Sequence, residues 1–346
     1  MSFKNLFRRK NRKLLFTTPS HAQRFFVVNK FRHFYKCDIS ETDAHNPEIV
    51  LDEAQKRASE IYGTNQTLFL TNGSTSGVIA GVLSVVKSGE KVLLWKGAHR
   101  CHHNAVSLAG AIPVYYELPI IKDWGIHDKT SVEILEPYLK ENDIKAVVVT
   151  SPSYYGIVSD IKQIKNLCNR FGAYLIVDEA HGALYPFSDK LPETAVKYAD
   201  IVVQSLHKTA GGLNPTALIH SNLNFDIQPS LDKITTTSPS YPLLSSIEAN
   251  INYLNSKRGK NFIKSLINNI QSLKSSCPNI DFGGDDITKI LIKKQGLSGH
   301  QLSSLLFDKY NIEDEITNDI STMLLTGIGT SAKKLLSLER ALSKID

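Results

Sequence analysis

Tyr174-Leu175-Ile176-Val177-Asp178-Glu179-Ala180-His181-Gly182, followed by Ile201-Val202-Val203-Gln204-Ser205-Leu206-His207-Lys208-Thr209, decides how the chain reads. Each stretch is a short aliphatic run that passes abruptly into ionisable residues. A strand with apolar residues on both faces belongs to a sheet covered by helices on each side. In an open α/β sheet, ligands bind just outside the carboxyl ends of such strands.

The same rhythm extends in both directions. Pro47 to Tyr62 reads as a helix, with proline in its first turn and Gly63 past its end. Strands are expected at Thr67–Leu70, Val92–Leu94, Ile112–Tyr116, Ala146–Thr150, Tyr174–Val177, Ile201–Gln204 and Thr216–Ile219, with helical segments between most of them. The fold class is therefore α/β, a mostly parallel, doubly wound sheet covered by helices. After the Ser/Pro/Tyr-rich stretch Thr235 to Pro242, one long helix is expected over Leu243–Ser275, ended by Cys277-Pro278-Asn279. Beyond it come a strand at Asp286–Lys293, a helix at Gly299–Tyr310, a strand at Ser321–Thr326 and a helix at Ser331–Ser343, a small α+β unit. The expected organisation is a basic arm over residues 1–46, a large domain over 47–275 and a small C-terminal domain over 276–346.

A chain of 346 residues, 42% apolar, has enough material for these cores. No apolar run approaches the roughly 18 residues needed to span a bilayer, and no secretory signal opens the chain, so a cytoplasmic protein without membrane contact is expected. Cys37, Cys101, Cys168 and Cys277 are too dispersed for a CxxC pair or a disulfide framework. Residues 1–37 hold ten of the 40 Lys and Arg and no acid, which leaves the rest of the chain net negative. Such an arm suits an anionic surface, an organellar transit peptide or a solvated segment that packs on a neighbouring subunit through Phe25, Phe26, Val27 and Val28. No nucleic-acid function is read from it.

Three strand exits carry compatible chemistry. Thr71-Asn72-Gly73-Ser74-Thr75-Ser76-Gly77 leads into a helix, where exposed N–H groups and hydroxyls form an anion site; such residues also serve as plain N-caps. Asp178 ends an apolar strand, and a carboxylate buried there stays ionised only beside a positive partner, such as a protonated pyridine nitrogen; acids after strands also cap helices. Lys208, thirty residues further on and flanked by Ser205 and His207, suits an imine with a carbonyl cofactor if burial lowers its pKa. A lone lysine is more often a solvated surface group. The order of anion turn, strand-exit acid and strand-exit lysine raises the functional reading above these bland ones. His99, His102 and His103 cluster near a helix start, where metal binding is disfavoured because no acid or cysteine at a ligand spacing completes the set.

From about Asp38 to Gly327 the sequence resembles the ornithine/lysine/arginine decarboxylases, a pyridoxal 5′-phosphate (PLP) family of the aspartate-aminotransferase fold (fold type I). Thr71 to Gly77 resembles the family's phosphate turn, Asp178-Glu179-Ala180-His181-Gly182 its pyridine-binding motif, and Ser205-Leu206-His207-Lys208-Thr209 the segment that bears its Schiff-base lysine. Ala98-His99-Arg100-Cys101 is similar to the segment whose histidine stacks on the cofactor ring. Ser151-Pro152-Ser153-Tyr154-Tyr155-Gly156 matches a segment after the fifth strand. The resemblance implies Lys208, Asp178 and His99 as catalytic residues. It implies a cofactor site of Ser74, Thr75, Ser76, His99, Asp178, Ala180, His181, Ser205, His207 and Lys208, with Thr237 approaching the phosphate of the other subunit in a homodimer. No metal is expected.

The implied reaction is decarboxylation of arginine, lysine or ornithine to the amine, a step toward polyamines. Transamination or aldol-type cleavage on the same scaffold, or a silent homologue, are the alternatives. Aminotransferases clamp the substrate carboxylate with an arginine; Arg340 is the only arginine after residue 275, which favours decarboxylation. Glu315 resembles the family's acidic position for the substrate's distal cation, with Glu41 and Asp43 as weaker candidates. The sequence departs from the family at Thr18-Pro19-Ser20-His21, where Pro-Gly-His is usual, and shows neither an N-terminal wing domain nor a C-terminal extension.

Overall fold

The structure, a computed structural model, describes residues 2–10, 32–39 and 49–345. Phe25 to Val28, Thr18 to His21, Glu41 and Asp43 lie outside the described residues. In chain order, α1 (Phe3–Lys10), α2 (Arg32–Cys37) and α3 (Ile49–Tyr62) precede β1 (Gln66–Leu70) and α4 (Ser74–Val85). Then come β2 (Lys91–Trp95), α5 (Arg100–Leu108), β3 (Ile112–Tyr116), the short β4 (Ile120–Ile121) and β5 (Ile126–His127), α6 (Val132–Glu141), β6 (Ile144–Thr150), α7 (Ile161–Arg170), β7 (Tyr174–Asp178), β8 (Ile201–Ser205) and β9 (Ala217–Ser221). The remainder comprises α8 (Gln228–Asp232), α9 (Tyr241–Asn255), α10 (Lys257–Ser276), β10 (Asp281–Gly283), β11 (Lys289–Lys293), α11 (Gly299–Tyr310), β12 (Ile316–Thr317), β13 (Thr322–Leu325) and α12 (Ala332–Leu342).

Seven strands form one sheet in the order β1-β9-β8-β7-β6-β2-β3. Only β9 runs against its neighbours β1 and β8; the pairs β2–β3, β2–β6, β6–β7 and β7–β8 are parallel. The alternation within each strand explains the unbroken apolar runs. Val147, Val149, Leu175, Val177 and Val202 enter the core on one face, whereas Ala146, Val148, Ile176, Ile201 and Val203 enter the core on the other. α4 lies close against the second face, because Gly77 sits where a Cβ would come within 2.7 Å of Val203 and 2.8 Å of Leu70.

The single helix expected over Leu243–Ser275 is instead two. Ser256 is extended (φ −72°, ψ 157°), and its Oγ accepts from the N–H of Gly259 at 3.1 Å, capping α10. A Cβ at Gly259 would lie 2.1 Å from the Tyr253 carbonyl, so the corner closes only around glycine. α10 then serves two cores: Ile263 and Ile267 pack with the large sheet, whereas Leu266, Ile270 and Leu273 pack with Ile290, Ile292, Leu302 and Leu338 around the four-stranded sheet β10-β11-β13-β12. We propose that the boundary between the two units runs through α10 itself.

α1, read from the sequence as part of a solvated arm, docks on the body of the same chain. Phe3 is fully buried, its ring 6.2 Å from Tyr241 and 6.3 Å from Phe7. Its N–H donates to Glu248 Oε2 at 3.1 Å, while Arg57 holds Glu248 Oε1 at 2.8 Å. Among the described residues no helix is long and apolar enough to cross a membrane.

Candidate active site

Parallel pairing places the carboxyl ends of β6, β7 and β8 side by side, with Thr150 opposite Asp178 and Asp178 opposite Val203. Asp178, at the end of β7, is 6% exposed. Its Oδ1 accepts from the Ala180 N–H at 3.1 Å and its Oδ2 lies 2.9 Å from His102 Nε2. Burial alone would push the carboxyl up; the hydrogen bond from His102, the electrostatic influence of His102 and Lys208, and the Ala180 N–H together hold it below the usual range, so it is an anion.

From Ser205 the chain enters a single π-helical turn, Leu206–Ala210, closed by Gly211 at φ 82°. Turns of this kind are rare and concentrate at functional sites. This one carries Lys208, whose Nζ lies 3.1 Å from His181 Nε2. Burial pulls the lysine below its ordinary value, against the opposing influence of Asp178, Cys101 and Glu315. A lysine so placed presents a neutral amine more readily than a surface one. His181 is itself buried, with the Tyr154 ring 4.7 Å away. The Tyr154 hydroxyl donates to Glu315 Oε1 at 2.8 Å. The small sheet thus delivers Glu315 to the edge of the site, next to the aromatic ring that covers His181.

The anion turn has the features its sequence suggests. α4 begins after Gly73 (φ 85°) with no side chain capping its N-terminus, which leaves its first N–H groups for an anion. Ser74 is half-buried and Thr75 exposed. Ser76 turns inward, its hydroxyl 2.6 Å from Asn72 Oδ1 and 2.7 Å from the Gly73 carbonyl. Ser205 Oγ and Thr209 Oγ1 are buried without a hydrogen-bond partner, a costly state that a phosphate ester would relieve. His207 donates from Nδ1 to the Thr216 carbonyl at 3.0 Å. Thr237 is exposed and shares a cavity of about 500 Å³ with Thr71.

His99 is the N-cap of α5: its Nδ1 accepts from the Cys101 N–H at 3.3 Å and lies 3.0 Å from Cys101 Sγ. The ring lines a cavity of about 450 Å³ together with Trp95, Tyr116, Tyr154, Ile157 and Ile316. The expectation that no acid or cysteine joins the histidine cluster is overturned for His102. Cys101, His102 and Asp178 bring ligand atoms within 4.8 Å of one another. Cys101 is held as the thiol, pushed up to about 12 by burial and by Asp178, and within the trio it is His102 that hydrogen-bonds the Asp178 carboxylate.

The contact of His102 with Asp178 was missed by sequence reading, which saw that histidine only as part of a cluster at a helix start. His102 is fully buried on the inner face of α5 beside Cys101, Ala105 and Val106. A histidine on an otherwise apolar helix face was the available signal. Glu179, beside Asp178, proves structural: its carboxyl accepts from Thr194 Oγ1, the Ala195 N–H and Gln204 Nε2 at 2.6–2.7 Å.

These residues fit PLP. Asp178 would offer an anion to a protonated ring nitrogen, Lys208 an amine to the carbonyl carbon, and Ser205, Thr209 and the start of α4 donors to the phosphate.

The profile of the family described as "Orn/Lys/Arg decarboxylase, major domain" matches residues 9–290. The chain is 33% identical over 310 residues to the uncharacterized protein YaaO of Bacillus subtilis, covering 83% of this chain and 63% of that one. It is 29% identical over 325 residues to an arginine decarboxylase of Bacillus anthracis, covering 88% and 66%. Its fold is similar to lysine decarboxylase A from Pseudomonas aeruginosa, with a TM-score of 0.85 at 19% identity over 98% of this chain and 59% of that one. The chain therefore spans about two thirds or less of the length of these relatives. An alanine–glyoxylate aminotransferase from Nostoc shares the fold at a TM-score of 0.66 and 14% identity, covering 89% of each chain.

Proposed function

The chain belongs to the Orn/Lys/Arg decarboxylase family, and from that premise we propose that it decarboxylates a basic amino acid with PLP, as a cytoplasmic homodimer. The observation that carries the reading is the placing of an anionic Asp178 and a half-buried Lys208 at neighbouring strand exits, with the unpartnered hydroxyls of Ser205 and Thr209 alongside. When bound, PLP supplies a sink for the electron pair left as the bond between Cα and the carboxylate breaks. Asp178 holds the proton on the ring nitrogen, and His102 keeps Asp178 ionised and oriented. Ser205, Thr209 and the first N–H groups of α4 anchor the phosphate, with Ser74, Thr75 and His207 beside them and Thr237 supplied across the dimer. Ala180 and His99 flank the ring.

Decarboxylation leaves the departing carboxylate without a cationic clamp, and Arg340 lies exposed on α12. Glu315, oriented by Tyr154, is the anion for the substrate's distal cation. All four cysteines are free thiols, as a reducing compartment keeps them. The test adds PLP to the purified chain and follows a yellow absorption band that borohydride abolishes and Lys208→Ala lacks, then measures CO2 and amine from arginine, lysine and ornithine separately. A colourless protein removes the cofactor reading. A coloured protein that yields no amine from any of the three removes decarboxylation.

A further inference from the structure

Two lysines address the two nitrogens of one imidazole. Lys208 Nζ lies 3.1 Å from His181 Nε2, and Lys289 Nζ lies 3.1 Å from His181 Nδ1. Lys289 begins β11 of the small sheet and is fully buried. A lysine is almost never buried so completely unless paired. Its carboxylate neighbour is Asp286, 3.9 Å away, itself buried and accepting from the Tyr185 hydroxyl at 2.8 Å and from the Thr288 N–H and hydroxyl at 2.9 and 2.7 Å. Among the described residues, no carboxylate lies within 4.0 Å of Lys208 Nζ.

Hydrogen-bond parity restricts what this arrangement can be. A neutral imidazole has one N–H donor and one bare nitrogen, an ammonium only donates, and a neutral amine can accept. A neutral His181 bridging two lysines therefore admits at most one ammonium, which must face the bare nitrogen, while its N–H points at an uncharged amine. The ammonium belongs where the carboxylate is, on Lys289.

We propose that Lys289 is a positioning residue for Lys208: as an ammonium anchored beside Asp286 it donates to His181 Nδ1, which fixes the ring hydrogen on Nε2 and directs it to the lone pair of a neutral Lys208. The inference rests on reading Lys208 as the amine that meets the cofactor carbonyl, and it supplies the means by which that amine is kept uncharged. His181 is held well below its ordinary value, chiefly by burial and then by Lys289, so the ring is neutral. Lys289 is lowered by burial to about 8 against the pull of Asp286, whose carboxylate 3.9 Å away favours its charged form. Lys208 is lowered by burial, opposed by Asp178, Cys101 and Glu315.

The experiment measures the rate at which the full-length chain, freed of cofactor, gains its absorption band on addition of PLP, as a function of pH, for the unaltered protein and for Lys289→Met. Removing a cation one imidazole away lets Lys208 keep its own proton, so the midpoint of the rate profile rises by on the order of one pH unit in the variant. A folded variant with an unmoved midpoint overturns the proposal, because a lysine that only fills space would leave the midpoint where it was. Nitrogen-15 spectra of the histidines in the unaltered, cofactor-free chain decide the matter even if Lys289→Met fails to fold. They should show His181 neutral with hydrogen on Nε2, and a hydrogen on Nδ1 or a cationic ring refutes the assignment. Should the unaltered chain gain no band at all, the proposed function falls, while the His181 tautomer still tests this inference.

Discussion

Glu179 offers a quantitative test of the site's foundations. Its carboxyl is fully buried and raised from an ordinary 4.5 to about 7: burial dominates, against three donors from Ala195, Thr194 and Gln204 that favour the anion. A group whose folded pKa lies above its unfolded one gives stability that is complete below 4.5 and is lost as pH rises through about 7. The shift corresponds to about 3 kcal/mol across that window, or about 4 °C in Tm for a chain of this size. Other groups titrate in the same window, so the assay compares urea unfolding of the native protein and Glu179→Gln from pH 4.5 to 8.5. Glutamine cannot ionise, but its amide NH2 must face one of the three donors, which costs about 1–3 kcal/mol at every pH. The native protein should be the more stable at low pH, and its advantage should shrink by about 3 kcal/mol toward pH 8.5. A difference between the two that does not change with pH refutes the reasoning.

Asp178→Asn should retain the fold and bind PLP but lower turnover by at least about a hundredfold, since the ring nitrogen loses its counter-charge. The fold is spared because the amide still accepts from Ala180 and can donate to His102 in its other tautomer, whose Nδ1 is buried without a partner; undiminished turnover in steady-state kinetics would count against the sink role. Glu315→Gln should raise KM for the preferred basic amino acid by roughly tenfold or more, the worth of a hydrogen bond to a charged group. Unchanged KM values for arginine, lysine and ornithine alike would remove Glu315 from the substrate site.

The seven strands of the large sheet fell where their apolar runs predicted: six because a run that must fill both faces of a buried strand has few alternatives, and β3, at the sheet edge, although most of its side chains are exposed. β10 and β12, three and two residues long, are too short to carry a period. The corner between α9 and α10 was hidden for the opposite reason. Leu244, Ile247, Ile251 and Leu254 are followed by Ile263, Leu266, Ile267 and Ile270, so the helical pattern resumes past Ser256 with little sign of a turn. α1 was masked by charge, since its Phe3 and Phe7 sit within a basic segment. In the site, Asp178, Ser205 and Lys208 were legible because strand exits are a general rule of the fold. His102 comes from a helix and Lys289 from the other sheet, and the rule reaches neither.

The two histidines answer a difficulty that the strand-exit geometry creates. An aspartate and a lysine at the ends of adjacent strands in a buried cleft would ordinarily form an ion pair. Each would then be unfit for its role, with the aspartate neutralised by the wrong cation and the lysine held as an ammonium. Here each is given a separate partner. His102 reaches Asp178 from α5 at 2.9 Å, and His181 reaches Lys208 at 3.1 Å. Among the described residues no direct contact within 4.0 Å joins Asp178 to Lys208, although each shifts the other's titration. On the proposed function, this separation would leave the anion available to a ring nitrogen and the amine to a carbonyl carbon. The separation depends on residues outside the strand exits, so a sequence could carry both Asp178 and Lys208 in register and still fail as a catalyst if either imidazole were lost.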